Sequence, residues 1–278
     1  MGLKITILGC GSSGGVPRLG DVWGACDPEN PRNRRRRCSI LVQRANEQGA
    51  EPTNVLVDTS PDMRAQLLEQ GVGWLDGVLY THDHADHTHG IDDLRMVAFN
   101  GRRHVDVHMS HQTAQVVMTR FSYCFRAPEG SPYPPILREH SLYPGKRVMV
   151  NGPAGAIEAL PFDQEHGHIR SLGFRFGNLA YSCDVSDLPD ESLAALEDLD
   201  VWIIDALRYT PHPSHFSLDD ALRWIERIKP RRAILTNMHI DLDYDTLRRE
   251  LPENVEPAHD GLSVETVAEL PESLAMRR

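Results

Sequence analysis

The chain has 278 residues, enough to bury a substantial core and to form one large α/β domain, and it carries a formal net charge of −11 at neutral pH. Such an acidic balance excludes a surface that coats nucleic acid, which needs many Lys and Arg to neutralise phosphates, and it argues against large folded RNA as a substrate; a confined phosphate pocket stays open. The five cysteines, odd in number and scattered (Cys10, Cys26, Cys38, Cys124, Cys183), exclude a disulfide framework and place the chain in a reducing compartment, the cytoplasm, while no stretch approaches the roughly 20 apolar residues of a membrane span.

Leu3 to Leu8 is β-rich and runs into Gly9-Cys10-Gly11-Ser12-Ser13-Gly14-Gly15, which has the G-x-G-x-x-G spacing of a dinucleotide fingerprint. That fingerprint needs a helix opening at its third Gly, and Val16-Pro17 follows here instead, so the reading is a flexible loop whose backbone N–H groups can meet an anion. The run Arg32-Asn33-Arg34-Arg35-Arg36-Arg37 is either a solvated face or a phosphate grip, since the guanidinium fork matches phosphate oxygens. Asn54 to Asp58 reads as a strand ending in an acid, and Pro61 and Gly71 punctuate a helix from Met63 to Gln70. Asp58 either orients a metal-ligating histidine or serves the turn before that helix.

The apolar run Gly77-Val78-Leu79-Tyr80 leads directly into Thr81-His82-Asp83-His84-Ala85-Asp86-His87, with three imidazoles and two carboxylates inside seven residues. Neutral imidazole and carboxylate are the N and O donors that Zn²⁺ and Mn²⁺ accept, and a tight turn after a strand can aim alternate side chains at one point. His82 and His84 then serve one ion, and Asp86 and His87 turn toward a second. The order H-x-H-x-D-H after a strand resembles the signature of the metallo-β-lactamase-fold hydrolases. The resemblance implies two adjacent divalent cations, Zn²⁺ ahead of Mn²⁺, completed by a downstream His, a bridging Asp after a later strand, and a last His near the C-terminal end.

A helix through Phe99, a strand at His104 to His108 and a helix from Gln112 to Phe121 follow; His104, His108 and His111 have no evident partners and read as surface or boundary residues. The Pro- and Gly-rich stretch Arg126 to Pro135 predicts a loop, around 122–136, inserted in a single domain spanning 1–278. Ile157 to Phe162 is a strand running into Asp163-Gln164-Glu165-His166-Gly167-His168. His166 is preferred over His168 as the ligand because Gly167 permits close backbone approach and His-Gly resembles the family pattern. Leu179 to Asp184 puts an Asp at a strand end, as a bridging carboxylate requires, and Arg232 to His239 is a strand ending at the last His. Between them lie a buried strand, Val201 to Ala206, and the segment His212-Pro213-Ser214-His215, before a helix that Ser217 caps with Asp220 three residues on. The alternation of strands and helices in both halves suits an α/β fold, an αββα four-layer sandwich of the metallo-β-lactamase type.

The ligand set expected from the resemblance is His82, His84, Asp86, His87, His166, Asp184 and His239. The Gly-Cys-Gly-Ser-Ser-Gly-Gly-Val-Pro opening, the arginine run closing in Arg37-Cys38-Ser39, and the His215 segment are similar to the phosphodiesterase branch, most of all to phosphoribosyl cyclic phosphodiesterases. This implies a small phosphorylated substrate, a cyclic phosphate of a ribose or nucleotide, with Asp86 orienting the nucleophile and His215 as general acid. That group often clusters cysteines where Asp21 to Cys26 stand here, to hold a structural zinc; Cys26 is alone, so no third site is expected. The alternatives are a lactonase or thioesterase using the same metal pair, a tRNA-processing endonuclease, and a non-catalytic binder with an inherited pocket. No membrane partner is expected, and a homodimer is compatible with the chain.

Overall fold

The structure, a computed structural model, describes residues 2–45, 51–127, 129–271 and 274. Its first six strands are β1 (Gly2–Gly9), β2 (Ser39–Arg44), β3 (Thr53–Val57), β4 (Gly77–Leu79), β5 (Val105–Ser110) and β6 (Leu137–Leu142). Eight more follow: β7 (Val148–Val150), β8 (Ile157–His166), β9 (Ile169–Phe176), β10 (Leu179–Ser182), β11 (Val201–Asp205), β12 (Arg232–Thr236), β13 (Val255–Pro257) and β14 (Ser263–Val267). They make two seven-stranded sheets, in the orders β14-β1-β2-β3-β4-β5-β6 and β13-β12-β11-β10-β9-β8-β7.

Period-2 side-chain alternation explains why the sheets stack. In the first sheet Leu3, Ile5, Ile7, Ile40, Val42, Val55, Val57 and Leu79 face a core shared with Phe162, Phe174 and Phe176 of the second. Their neighbours along the strands, Leu8, Leu41, Leu56 and Val78, face the opposite way. That outer face is covered by helices α1 (Met63–Glu69), α3 (Leu94–Gly101) and α4 (His111–Arg120) through Met63, Leu67, Leu94, Val97 and Val117; α2 (Ala85–Thr88) is a single turn carrying the histidine motif. On the second sheet, Leu218, Ala221 and Ile225 belong to α7 (Leu218–Ile228), which follows the short helices α5 (Ser122–Phe125) and α6 (Asp190–Leu193) and precedes α8 (Tyr244–Glu250). The result is the expected αββα sandwich. The capping box at Ser217 and Asp220 is present, each side chain accepting from the other's backbone N–H.

Two local expectations change. The first four residues of the stretch expected as a loop at 122–136 form α5, with Cys124 buried against the first sheet's outer face. The strand expected over Ile157 to Phe162 extends through Asp163 to His166 as β8, which pairs residue for residue with β9 as far as His166 against Ile169. The intervening turn uses Gly167 at φ +62°, a left-handed conformation that favours glycine.

Candidate metal centre

Strand ends set the site. β4, β10 and β12 finish on one side of the sandwich, and each is followed by residues that turn into the gap between the sheets. Leu172 N–H donates to Thr81 O (2.9 Å), tying the motif after β4 to the second sheet. The donor atoms of His82, His84, His166 and Asp184 lie within 4.8 Å of one another, as do those of His87, Cys183 and Asp184.

Asp184 joins the two groups. Its Oδ2 is 3.5 Å from both His82 Nε2 and His166 Nε2, and its Oδ1 is 3.3 Å from His87 Nε2. One carboxylate thus faces His82 and His166 with one oxygen and His87 with the other, as a bridging ligand must. Asp86 Oδ2 is 3.5 Å from His87 Nε2, on the second group's side.

Each buried imidazole is aimed through its other nitrogen. His82 Nδ1–H donates to Thr81 Oγ1 (3.0 Å), whose hydroxyl donates to Asp58 Oδ2 (2.7 Å). His87 Nδ1–H donates to the same Asp58 oxygen (2.7 Å), and His166 Nδ1–H to Ser214 O (2.6 Å). Of the two roles open to Asp58 in the sequence, the structure shows it holding histidines: it fixes the His87 ring directly and the His82 ring through Thr81. In all three rings Nε2 is left pointing into the centre, and the Nε2 atoms of His82 and His87 are buried with no hydrogen-bond partner. Buried polar atoms without partners are costly, and a divalent cation would satisfy them. The donor set fits such an ion.

The electrostatics agree. Burial, reinforced by His87, pushes His82 well below the usual imidazole range, and burial lowers His166, so both present lone pairs. His87 behaves oppositely: burial would lower it, but Asp184, Asp86 and Asp58 outweigh that and hold it well above the usual range. Burial would raise Asp184, but His87 and His215 outweigh it and keep the carboxyl ionised. Cys183 was not singled out as a site residue in the sequence; burial and its neighbours raise its thiol well above the usual range, so it acts as a neutral donor to Asp184 Oδ1 (3.1 Å).

His239 stands outside both groups here. Its Nε2 accepts from the Arg18 guanidinium, and its Nδ1–H donates to Asp241. His168, the less favoured of the two histidines after β8, is exposed. Of the other histidines, His104 and His111 are exposed, and His108 stacks on His140 with ring centroids 4.8 Å apart, away from the centre.

His215 comes to the rim of the centre. Its Nδ1–H donates to Asp205 Oδ2 (2.8 Å), its Nε2 is 3.9 Å from Asp184 Oδ2, and its ring lies 4.7 Å from that of His166. Burial alone would lower it, but Asp205 and Asp184 outweigh that and lift it to about 9, while burial raises Asp205 to about 6. At neutral pH this pair is an imidazolium backed by a carboxylate. Asp205 escaped the sequence reading, although the signal was there: an apolar run ending in Asp, as at Val57-Asp58 and Cys183-Asp184.

Residues 53–240, which hold all seven expected ligands, match the family described as the Beta-lactamase superfamily domain. The chain belongs to the beta-lactamase superfamily. Within it, a crystal structure described as a new diphosphatase from the PhnP family is 34% identical, with TM-score 0.84 over 95% of this chain and 97% of that one, which places the chain in the PhnP-like branch. The metallo-beta-lactamase fold protein YhfI from Bacillus subtilis shares the superfamily fold at 18% identity and TM-score 0.69, over 95% of this chain and 100% of that one. A curated relative, the octanoyltransferase of Porphyromonas gingivalis (strain ATCC BAA-308 / W83), is 31% identical over 265 residues, or 94% of this chain. This superfamily chain spans about half that relative's length, 51%. Among the described residues, no helix is long and apolar enough to cross a membrane.

Proposed function

We propose that this metallo-β-lactamase-fold hydrolase cleaves a small phosphodiester, a cyclic phosphate of a ribose or nucleotide being the first candidate. The observation that carries the reading is the His215–Asp205 pair beside the two-sided carboxylate of Asp184. A phosphodiester with an alkoxide leaving group needs a proton delivered as the P–O bond breaks, and a charged imidazole at the rim of the centre supplies one. The likeness to a PhnP-family diphosphatase supports phosphorus over carbon as the reacting atom.

His82, His84, Asp86, His87, His166, Asp184 and His239 would hold two divalent cations, and the preponderance of imidazole favours Zn²⁺ ahead of Mn²⁺. When bound, such cations supply Lewis acidity that offsets charge on the phosphoryl oxygens and makes water acidic enough to attack near neutral pH. The chain's own residues do the rest. Asp86, partly exposed at the edge of the cluster, orients the attacking water. His215 holds its proton at Nε2 and gives it to the departing oxygen, while Asp205 keeps the ring in place and stabilises the charged form. Five cysteines, all unpaired and buried, suit a cytoplasmic setting.

The name of the longer curated relative favours a second reading, hydrolysis of an acyl substrate such as a thioester or lactone. Turnover of a cyclic nucleotide phosphate and an aryl phosphodiester, measured beside a lactone and a thioester on metal-loaded protein, separates the two; an acyl preference would remove the phosphodiesterase claim. Within the phosphodiesterase reading, His215→Ala is expected to retain metal and lose about 10²–10⁴-fold on an alkyl leaving group, the usual worth of a general acid. The loss on a p-nitrophenyl ester, whose leaving group needs no proton, should be much smaller. Equal losses on the two would count against the acid role.

A further inference from the structure

The basic run that offers a phosphate grip in the sequence is engaged within the protein. Arg32 lies over the ring of Tyr244 and Arg34 over that of Trp23, each 4.9 Å from the centroid. Arg35 is buried and donates to the carbonyls of His239 and Leu242. Arg36 joins Asp260 and Glu69, and Arg37 meets Asp62 at 3.0 Å. Basic side chains gather openly in another place, around a cavity of about 750 Å³ between the end of α3 and the start of β6.

β4 and β5 run parallel, and the histidine motif follows the end of β4, whereas the cavity is built at the start of β5. It therefore lies at the opposite end of the first sheet from the metal centre. Its volume falls within the roughly 300–1,000 Å³ of small-molecule sites. Four arginines line it, Arg95, Arg102, Arg103 and Arg138, against one carboxylate, Asp106. Arg95 is paired with Asp92 (2.8 Å), Arg103 with Asp76 (2.6 Å) and Arg138 with Asp106 (2.6 Å). Arg102 is different: among the described residues no carboxylate pairs with it, and it is exposed. It caps α3 with a left-handed backbone (φ 50°), the position where glycine is usual, although Gly101 stands beside it. The walls between these charges are apolar. Phe99 and Tyr133 line the cavity while 76% and 72% exposed, and Pro134 and Pro135 stiffen the segment that carries Tyr133. Two large aromatic rings left open to water beside an unneutralised guanidinium match a ligand with a flat apolar face and a negative charge. The acidic remainder of the chain would repel a long polyanion, which favours a compact one.

We infer that this cavity is a binding site for a nucleoside monophosphate, separate from the metal centre, with the base stacked against Phe99 and Tyr133 and the phosphate held by Arg102. Aromatic faces accept any base, and the planar guanidinium fork binds two phosphate oxygens together, which lysine cannot match. The site stands whatever bond the metal centre cleaves.

The test is calorimetric binding of adenosine 5′-monophosphate, adenosine and ribose 5-phosphate to the full chain loaded with Zn²⁺. Wild type is expected to bind the nucleotide about 10- to 100-fold more tightly than either part, the worth of a charged hydrogen-bonded contact on one side and of a stacked base on the other. Arg102→Ala should bind the nucleotide no better than adenosine, and Arg102→Lys should recover part of the difference. The double variant Phe99→Ala with Tyr133→Ala should bind it no better than ribose 5-phosphate. All three side chains are exposed, so these proteins keep their core. Asp184→Ala separates the two places: a nucleotide site that it loses belongs to the metal centre, and the inference requires one that D184A keeps and R102A loses. Absence of such a site at millimolar nucleotide overturns the inference, as does an R102A protein that still prefers the nucleotide to adenosine. Tighter capture through Arg102 of an oligoglutamate peptide or of single-stranded DNA would assign the cavity to a polymer and overturn it too. A dimer that sedimentation finds dissociated in R102A would assign it to a second copy, with the same consequence.

Discussion

Replacing Asp205 with Asn tests the proton donor without disturbing its shape. Asp205 is buried at the end of β11, and its Oδ2 accepts from both His215 Nδ1 (2.8 Å) and Val185 N–H (3.1 Å). The amide is nearly isosteric and removes one charge. The rise of His215 from 6.5 to about 9 corresponds to about 3 kcal/mol in favour of the imidazolium. Opposite unit charges about 4 Å apart at an effective dielectric of about 20 interact by about 4 kcal/mol, so Asp205 is large enough to supply the whole rise. Without it, burial prevails over the remaining pull of Asp184. In metal-free protein, an NMR titration of the ring should therefore place His215 above pH 8 in wild type and below about pH 7 in D205N. Because the folded pKa lies above the unfolded one, the stability that His215 contributes is present in full below pH 6.5 and is lost as pH rises through about 9. D205N should lose that slope, measurable by urea unfolding at pH 6 and pH 9.5. A His215 that titrates at the same pH in both proteins would show that Asp205 does not set its charge, and the assignment of the pair as proton donor would fail with it.

Asp184→Ala removes the carboxylate that faces His82 and His166 on one side and His87 on the other, and elemental analysis should find metal reduced to below about one ion per chain; undiminished metal would deny its bridging place. His87 is held protonated by Asp184, Asp86 and Asp58 in the metal-free protein, so a cation must displace that proton. Zinc titration calorimetry should find tighter binding at pH 8 than at pH 6, with proton release visible from the buffer dependence of the heat. Asp58→Asn, which loosens the rings of His82 and His87, should weaken metal binding by about 10- to 100-fold, read by competition with a chelator. Gly167→Ala forces a left-handed φ on a residue with a side chain and sets its Cβ 2.8 Å from that of Ser214, whose carbonyl holds His166. The backbone strain alone costs about 1–2 kcal/mol, and a lowered Tm by calorimetry is the expected result.

What could be read in the sequence was what repeats locally. The apolar alternation of Leu3, Ile5 and Ile7 and the apolar run before His82 carry their own periodicity, and the caps at Ser217 and Asp220 are set by neighbours three residues apart. The histidine motif is equally local, so the structure gathers His82, His84 and His87 where a seven-residue stretch put them. Partnerships across the sandwich were not legible. Nothing near Asp205 in the chain says that it will meet a histidine ten residues on, and nothing near Arg18 says that it will meet His239. The partners of the arginine run were hidden for the same reason: its charge is local, but Asp62, Asp260, Tyr244 and Trp23, which engage it, are brought there only by folding. The length of β8 was missed because Asp163 and Glu165 look like loop residues, while pairing with β9 overrides that preference.

The centre depends on one backbone device used three times. Asp58, Asp184 and Asn237 follow β3, β10 and β12, and each has a positive φ, of 64°, 54° and 61°. Among residues with side chains, Asp and Asn enter that region most readily, and the turn throws a short polar group sideways into the space between the sheets. The device also explains why the third position is an amide. Asn237 Nδ2 donates to Asp184 Oδ1 at 3.0 Å, so an aspartate at the same place would set a second carboxylate against the first. Two anions that close would force one of them to hold a proton, and Asp184 would no longer be free to face His82, His166 and His87 in its charged form. The neutral amide holds the carboxylate in orientation without competing for charge, and the ionised Asp184 that the two-sided centre requires follows from it.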